Sequence, residues 1–201
     1  MNQLIAALAR WRALPLMMRA IALAALCTTF LFGMIAFEQI RRDTGAEIVL
    51  RTRPVDPRDL IRGAYVQLEY EVERIDTGAL VTPPDTRNWR RDDVLFLTLR
   101  ADESGELKPV ALEAAKPAAT QGDVVLRVKY ERLDDFTQGA PAAAVVNLGA
   151  DRYFSDQAGA TQLEKDAREG PLSVILSVGG DGKAVIKGLV VGGQKQYETL
   201  F

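Results

Sequence analysis

Residues 20–37, AIALAALCTTFLFGMIAF, form an apolar run without a charge, bounded by Arg19 and Glu38. In an α-helix, eighteen residues rise about 27 Å, which is close to the thickness of the hydrocarbon core of a bilayer. The run therefore predicts one transmembrane helix near the start of the chain. This helix would separate a short basic segment from a longer polar domain.

The run is more typical of a signal-anchor that is retained than of a signal peptide that is removed. A cleaved signal has an apolar stretch of about 7–15 residues and an exit made of small residues. Here the stretch is longer, and it ends in GMIAFE, where bulky side chains alternate with small ones. We therefore expect an uncleaved anchor, with the lipid bilayer as the first partner of the chain.

Basic residues on the two sides of the run do not decide its orientation. Arg10, Arg12 and Arg19 precede it, and Arg41, Arg42, Arg51 and Arg53 follow it. The side richer in Lys and Arg usually stays in the cytoplasm, but here the two sides are similar. Because a single N-terminal anchor usually leaves its start in the cytoplasm, we expect a single-pass protein of a bacterial inner membrane with a periplasmic C-terminal domain.

The sequence divides into four parts. They are a cytoplasmic lead-in at residues 1–19, the anchor at 20–37, a linker at 38–46 that begins as a helical stub, and an extracytoplasmic domain at 47–201. Four residues of the lead-in share one helical face: Leu4, Ile5, Leu8 and Trp11. This pattern fits a helix lying on the membrane surface, and a disordered or continuously helical lead-in is also compatible with it.

The composition excludes several kinds of active site. The chain has no histidine, the commonest general base and zinc ligand, and its one cysteine, Cys27, lies within the apolar run. A disulfide within the chain is therefore excluded, and we expect no metal and no cofactor. After the run come 22 basic and 27 acidic residues, interspersed, with a net charge of −5. Since nucleic acid is bound by a clustered basic face, we expect no nucleic-acid partner.

The polar domain alternates apolar and polar residues with a period of two, which is typical of β-strands. Strands are predicted at residues 47–53, 64–74, 94–100, 107–115, 123–131, 143–149, 172–178 and 183–191. In the second of these, Val66, Leu68, Tyr70 and Val72 point to one side. The last two strands form a hairpin around the turn GGDG at residues 179–182.

One helix is predicted outside the anchor, at residues 161–169, TQLEKDARE. Thr161 and Glu164 form a capping-box pattern, and the following Gly-Pro pair stops the helix. The predicted fold class is therefore mainly β, barrel- or sandwich-like with one short helix, behind a single N-terminal transmembrane helix.

Residues 54–70, PVDPRDLIRGAYVQLEY, resemble the signature of the bacterial GDYXXLXY-domain family. The matching residues are Gly63, Tyr65, Leu68 and Tyr70, and Ala64 stands where the family has aspartate. Residues 149–154, GADRYF, and the terminal hairpin also resemble this family, as does the order of one anchor followed by this domain. The resemblance covers nearly the whole chain.

The resemblance implies a membrane-anchored protein without an assigned activity, encoded near or fused to a multi-pass membrane protein. If the aspartate of the signature carries a function, Ala64 removes that function here, and if it caps a turn, little changes. The matching residues have either an architectural role, with Leu68 and Tyr70 on one buried face, or a contact role in which Tyr65 and Arg62 mark a surface.

A loop predicted at residues 77–93 contains the best candidate for an exposed contact. Its sequence RNWRR places Trp89 among three arginines: Arg87, Arg90 and Arg91. This combination suits lipid headgroups or a protein partner, although Trp89 is also compatible with a plug that covers the core beneath the loop. Together with Arg62 and Tyr65, these residues form the predicted contact surface, and no catalytic residue is predicted.

Three functions are compatible with the sequence. The one we favour is a non-enzymatic accessory or protein-interaction domain whose partner is an integral membrane protein. One alternative is an envelope hydrolase that uses two carboxylates at a defined separation, for which the acidic pairs at 92–93, 102–103 and 134–135 are candidates. The other alternative is a binding module for a small envelope ligand.

Overall fold

The structure is a computed structural model, and it describes residues 15–53, 65–82, 84–118, 120–134, 142–154 and 172–197. The side chains of Tyr65, Val66, Arg87 and Phe154 are outside this description. The chain divides into two compact units, residues 1–40 and 41–201.

The first unit contains most of one long helix, α1, which runs from Leu16 to Thr44 over 29 residues. Its most apolar window has a mean hydropathy of 2.2 and is not buried, so the helix is long and apolar enough to cross a bilayer. A membrane anchor and a signal sequence both have these features. The helix extends past the apolar run through the polar residues 38–44, and Gly45 follows its last residue.

The second unit is built from eleven described strands. They are β1 (Ala46–Arg51), β2 (Tyr65–Gln67), β3 (Arg74–Asp76), β4 (Val94–Ala101), β5 (Leu107–Glu113), β6 (Asp123–Asp134), β7 (Ala143–Asn147), β8 (Arg152–Phe154), β9 (Ser173–Val178), β10 (Ala184–Val191) and β11 (Gln194–Tyr197). Short 3₁₀ turns occupy Glu71–Glu73 and Thr86–Asn88. The prediction of a mainly β fold is confirmed.

The strands form three antiparallel sheets. One has four strands in the order β1-β9-β10-β11, one has five in the order β3-β7-β6-β4-β5, and the third pairs β2 with β8. None of these described sheets closes into a barrel. Inward side chains of the two larger sheets, such as Leu97 and Leu126 from one and Val174 and Leu176 from the other, belong to one hydrophobic core.

The strands predicted from long alternating stretches are present. The hairpin of β4 and β5, the central strand β6, and the hairpin of β9 and β10 around residues 179–182 all follow the predicted pattern. The structure contains more strands than the eight predicted, because β3, β8 and β11 are only three or four residues long. The helix predicted at residues 161–169 lies outside the described residues.

The prediction of one continuous strand over residues 64–74 is wrong. The described part begins with the three-residue strand β2, continues through an isolated bridge between Tyr70 and Thr52, and turns at Glu71–Glu73 before β3. The strand breaks because the side chain of Glu73 reaches back to accept the backbone N–H of Tyr70, as in a capping box. The predicted burial of Leu68, Tyr70 and Val72 is nevertheless confirmed.

The last turn of α1, which belongs to the second unit, is bound to the four-stranded sheet. Arg41 Nη2 donates to both carboxylate oxygens of Asp181 at 2.9 Å, and the Ser177 hydroxyl donates to the Arg41 carbonyl at 3.1 Å. Arg42 is buried and donates to the carbonyl of Lys187 at 3.1 Å. These two arginines therefore hold the last turn of α1 against the four-stranded sheet, in addition to any effect of their charge on membrane orientation.

The backbone conformation at the end of the turn between β9 and β10 explains why this position is a glycine. Gly182 has a φ of +82°, and a Cβ atom there would lie 3.0 Å from the backbone nitrogen of Arg127. The Gly182 carbonyl accepts the N–H of Arg127 at 2.7 Å. The hairpin of one large sheet thus contacts the central strand of the other, and a side chain at Gly182 would interfere with this contact.

Two leucines of β6 differ in burial and should therefore differ in their contribution to stability. Leu126 has no exposed surface, whereas Leu133 is 36% exposed. We expect Leu126→Ala to lower the free energy of unfolding by about 3 kcal/mol, because it leaves a cavity, and Leu133→Ala to lower it by less than about 1 kcal/mol. Urea titration of the full-length protein in mild detergent measures both values, and equal losses would contradict the packing described here.

Candidate functional site

The two segments that carry the family resemblance lie side by side. Strand β2 begins at Tyr65 and pairs with β8, so that Tyr65 lies opposite Phe154 and Gln67 opposite Arg152. Just beyond β2, the N–H of Leu68 donates to the carbonyl of Asp151 at 2.8 Å. Two stretches that are more than 80 residues apart in the sequence therefore form one structural unit.

Tyr70 fixes the end of this unit. Its side chain is only 1% exposed, and its hydroxyl donates to the carbonyl of Ala150 at 2.6 Å. Burial raises the pKa of the Tyr70 hydroxyl far above its usual value, and the nearby charges of Glu73 and Asp151 add to this effect. The hydroxyl is therefore a permanent hydrogen-bond donor, and its role is structural.

Glu73 provides a second link between the same two segments. One carboxylate oxygen accepts the N–H of Tyr70 at 3.0 Å, and the other accepts the N–H of Leu148 at 2.9 Å. Burial raises the pKa of Glu73 to about 7, because it outweighs these two hydrogen bonds, and the negative charges of Asp151 and Glu131 raise it further. Glu73 is therefore a carboxyl group that exchanges its proton near neutral pH.

Sequence reasoning missed Glu73, which in an uninterrupted strand would be one of several alternating polar residues. The sequence signature of a capping box has Ser or Thr three residues before the glutamate, and Tyr70 stands there instead. The partner of its second oxygen, Leu148, is 75 positions away and gives no local signal.

A cavity of about 260 Å³ lies beside these links. It is lined by Arg53, Gln67, Leu68, Glu69, Tyr70, Glu73, Arg74, Glu131, Arg132, Val145, Val146, Asn147 and Asp151. Two of its guanidinium groups bind the same carboxylate, since Arg74 and Arg132 donate to Asp134 at 3.0 and 2.7 Å. These bonds hold the pKa of Asp134 below its usual value, with Arg132 making the larger contribution.

Comparison with known protein families identifies the family of this chain. The model of the GDYXXLXY protein family matches residues 27–189, which is most of the chain. This chain belongs to the GDYXXLXY family. No curated protein and no solved structure gives a significant match.

The structure describes only part of the GDYXXLXY signature. Leu68 and Tyr70 are buried in the core, whereas Gly63 and Ala64 lie outside the described residues. The backbone of Tyr65 begins β2, but its side chain is outside the description. The burial of Leu68 and Tyr70 fits the architectural interpretation of these two residues, and the roles of the signature residues stay predictions.

The predicted contact residues fall on different elements of the GDYXXLXY domain. Trp89 is partly buried and packs edge-on against Tyr130, with a ring distance of 5.5 Å and an angle of 66°. Arg90 and Arg91 beside it are exposed. Arg62 lies outside the described residues, as does the side chain of Arg87.

Three of the acidic residues considered for hydrolysis have structural partners. Asp93 accepts the N–H of Arg90, Asp102 accepts two N–H groups and a hydroxyl within its own turn, and Asp134 binds two arginines. Among the described residues there is also no group of three acidic or cysteine side chains able to hold a metal ion. Within the described part of the chain, the cavity beside Glu73 is the candidate site that contains a carboxyl group with a raised pKa.

The hydroxyl of Tyr70 gives a direct prediction. We expect Tyr70→Phe to lower the free energy of unfolding by about 1–2 kcal/mol, because the buried carbonyl of Ala150 loses its partner. The matched control is Tyr197→Phe, which removes a hydroxyl that donates to Glu47 from a residue 49% exposed, and we expect it to cost less than about 0.5 kcal/mol. Indistinguishable urea midpoints for the two variants would show that the buried bond contributes little.

Glu73 predicts an unusual dependence of stability on pH. Its pKa is raised from 4.5 to about 7 on folding, so its contribution to stability is fully present below about pH 4.5 and is lost as the pH rises through 7. We expect the free energy of unfolding to fall between about pH 5 and 8, and Glu73→Gln to remove most of this fall. The chain has no histidine, so no imidazole competes in this window.

The control for this experiment is Glu103→Gln, which changes an exposed carboxylate in the turn between β4 and β5. This variant should keep the full dependence on pH. If Glu73→Gln and Glu103→Gln gave the same slope as the unmodified protein, Glu73 would not be the group that titrates.

Proposed function

We propose that this protein is a membrane-anchored, non-enzymatic accessory domain on the outer face of a bacterial inner membrane, and that it binds an integral membrane protein. The observation that carries the proposal is helix α1, whose apolar segment is unburied and long enough to span a bilayer. Phe30, Phe32 and Phe37 each expose more than half of their surface. Such exposure is unfavourable in water and favourable in lipid.

The family match supports the same proposal. It begins at residue 27, inside the apolar segment, so the GDYXXLXY family includes part of the helix as well as the β domain. The match thus includes the second half of the apolar run together with the β domain, as we expect if the anchor is retained.

The length of the connection limits where a partner can be. Eight residues separate Phe37, the last of the apolar run, from Ala46, the first residue of β1. Even when fully extended, eight residues span less than about 30 Å. The connection therefore keeps the start of β1 near the membrane surface, which favours an integral membrane protein as the partner.

The contact surface that we propose is the exposed arginine end of the loop before β4, together with Arg62 and Tyr65. Arg90 and Arg91 are exposed, whereas Trp89 is partly buried and packs on Tyr130, which connects the loop to β6. Arginine is enriched at protein interfaces and also suits anionic lipid headgroups, which makes this end of the loop suitable for a partner at the membrane.

Membrane placement is tested by extraction and proteolysis. We expect the full-length chain to stay in the membrane pellet after an alkaline carbonate wash, while a soluble periplasmic protein from the same cells is released. Protease added to spheroplasts should remove a C-terminal tag. Release of the intact chain by carbonate would contradict the anchor, and a protected tag would contradict the outer-face placement.

The partner is tested by crosslinking in cells followed by purification of the tagged full-length protein in mild detergent. We expect recovery of one integral membrane protein, and Arg91→Glu should reduce this recovery about tenfold, because a charge reversal in a contact costs on the order of 1.4 kcal/mol. The matched control is Lys183→Glu, an exposed residue in the turn between β9 and β10. Recovery of no specific membrane protein would contradict the proposal.

A further inference from the structure

The cavity beside Glu73 contains more negative than positive groups. The charged groups that line it are Arg53 after β1, Glu69 before the 3₁₀ turn, Glu73 in that turn, Arg74 in β3, Glu131 and Arg132 in β6, and Asp151 before β8. Asp134, which binds Arg74 and Arg132, adds a fifth carboxylate, and Arg152, which pairs with Asp151 at 3.9 Å, adds a fourth guanidinium group. The local balance of charge therefore favours a cation over an anion.

Glu73 is the carboxylate in this cavity that gains most from a cation. Both of its hydrogen bonds come from neutral backbone N–H groups, and among the described residues no cationic side chain forms an ion pair with it. An ionised carboxylate accepts about four hydrogen bonds, so two acceptor positions are left. A shielded carboxylate without a positive partner is unfavourable, and a cation that enters the cavity would remove this penalty.

The size and chemistry of the cavity define the class of ligand. A volume of about 260 Å³ exceeds by far the ~30 Å³ that one water occupies in the liquid, so the cavity holds a group of several non-hydrogen atoms. A bare metal ion is not favoured, because the described residues offer no three-ligand group for one. We propose that this cavity binds one small organic cation, an alkylguanidinium or alkylammonium group, through the carboxylate of Glu73.

Binding is coupled to loss of a proton from Glu73. The group exchanges its proton near pH 7, and a cation binds the ionised form in preference to the protonated form. Near neutral pH, uptake of the cation therefore releases on average about half a proton to the solvent. This coupling goes beyond the accessory role proposed above and does not depend on it, because the cation can be a free small molecule or a side chain of a protein.

The test uses the full-length protein in mild detergent, with ethylguanidinium as the ligand. Isothermal titration calorimetry in two buffers of different ionisation enthalpy should give a release of about 0.5 proton per cation at pH 7, and affinity about 30-fold weaker at pH 5.5 than at pH 8. N-ethylurea, a neutral molecule of similar shape, should not bind. Glu73→Gln should remove both the binding and its dependence on pH, whereas Glu103→Gln should leave them unchanged.

A second variant tests the cavity independently, in case Glu73→Gln does not fold. Asp151→Asn removes a neighbouring charge in the same cavity, and we expect it to weaken binding several-fold while the release of a proton persists. The inference is overturned if ethylguanidinium gives no binding at pH 8 up to millimolar concentration, if N-ethylurea binds equally well, or if folded Glu73→Gln binds like the unmodified protein.

The source of the cation is distinguished by one further measurement. If the cation is a side chain of a protein partner, ethylguanidinium should release the membrane protein that is recovered by crosslinking. If it is a free molecule, recovery should be unchanged while the calorimetric binding persists. Both results support the cavity as a cation site, and a failure of cation binding leaves recovery of the partner as a separate observation.

Discussion

The constraint on which the β domain depends is the pair of links that Tyr70 and Glu73 make between two distant turns. The Tyr70 hydroxyl donates to the carbonyl of Ala150, and the Glu73 carboxylate accepts the N–H groups of Tyr70 and Leu148. Tyr70 and Glu73 lie between β2 and β3, and Leu148 and Ala150 lie between β7 and β8, so these bonds join the two connections that run between the two-stranded and the five-stranded sheet. Leaving one of these shielded groups without a partner would cost about 1–3 kcal/mol.

These links explain the residue types in the motif. Leu68 fills the core, and Tyr70 has both the apolar ring for a buried position and the hydroxyl that reaches a backbone carbonyl. Glu73 holds the turn that ends the motif, but burial makes its charge unfavourable, which is why its pKa is raised. The same side chain that shapes the fold therefore places a carboxyl group with a raised pKa at a cavity.

Long half-buried strands could be predicted from the sequence, because burial of one face imposes a period of two over many residues. This holds for β4 and β6. It fails for β3 and β8, since three residues are too few to show a period. The turn at Glu73 and the role of Arg41 depend on contacts with Leu148 and Asp181, which are 75 and 140 positions away. A local sequence pattern does not reveal contacts between residues so far apart in the chain.

The most direct test of this account is the titration of Glu73 itself. Glutamate labelled with ¹³C at the side-chain carboxyl, in the full-length protein in detergent, gives one resonance per residue, and Glu73→Gln identifies the relevant one by its loss. The account predicts that this resonance titrates near pH 7, well above the value of 4.5 for an ordinary glutamate. A midpoint near 4.5 would show that burial does not outweigh the two hydrogen bonds of Glu73, and would contradict the proton release predicted for the cation site.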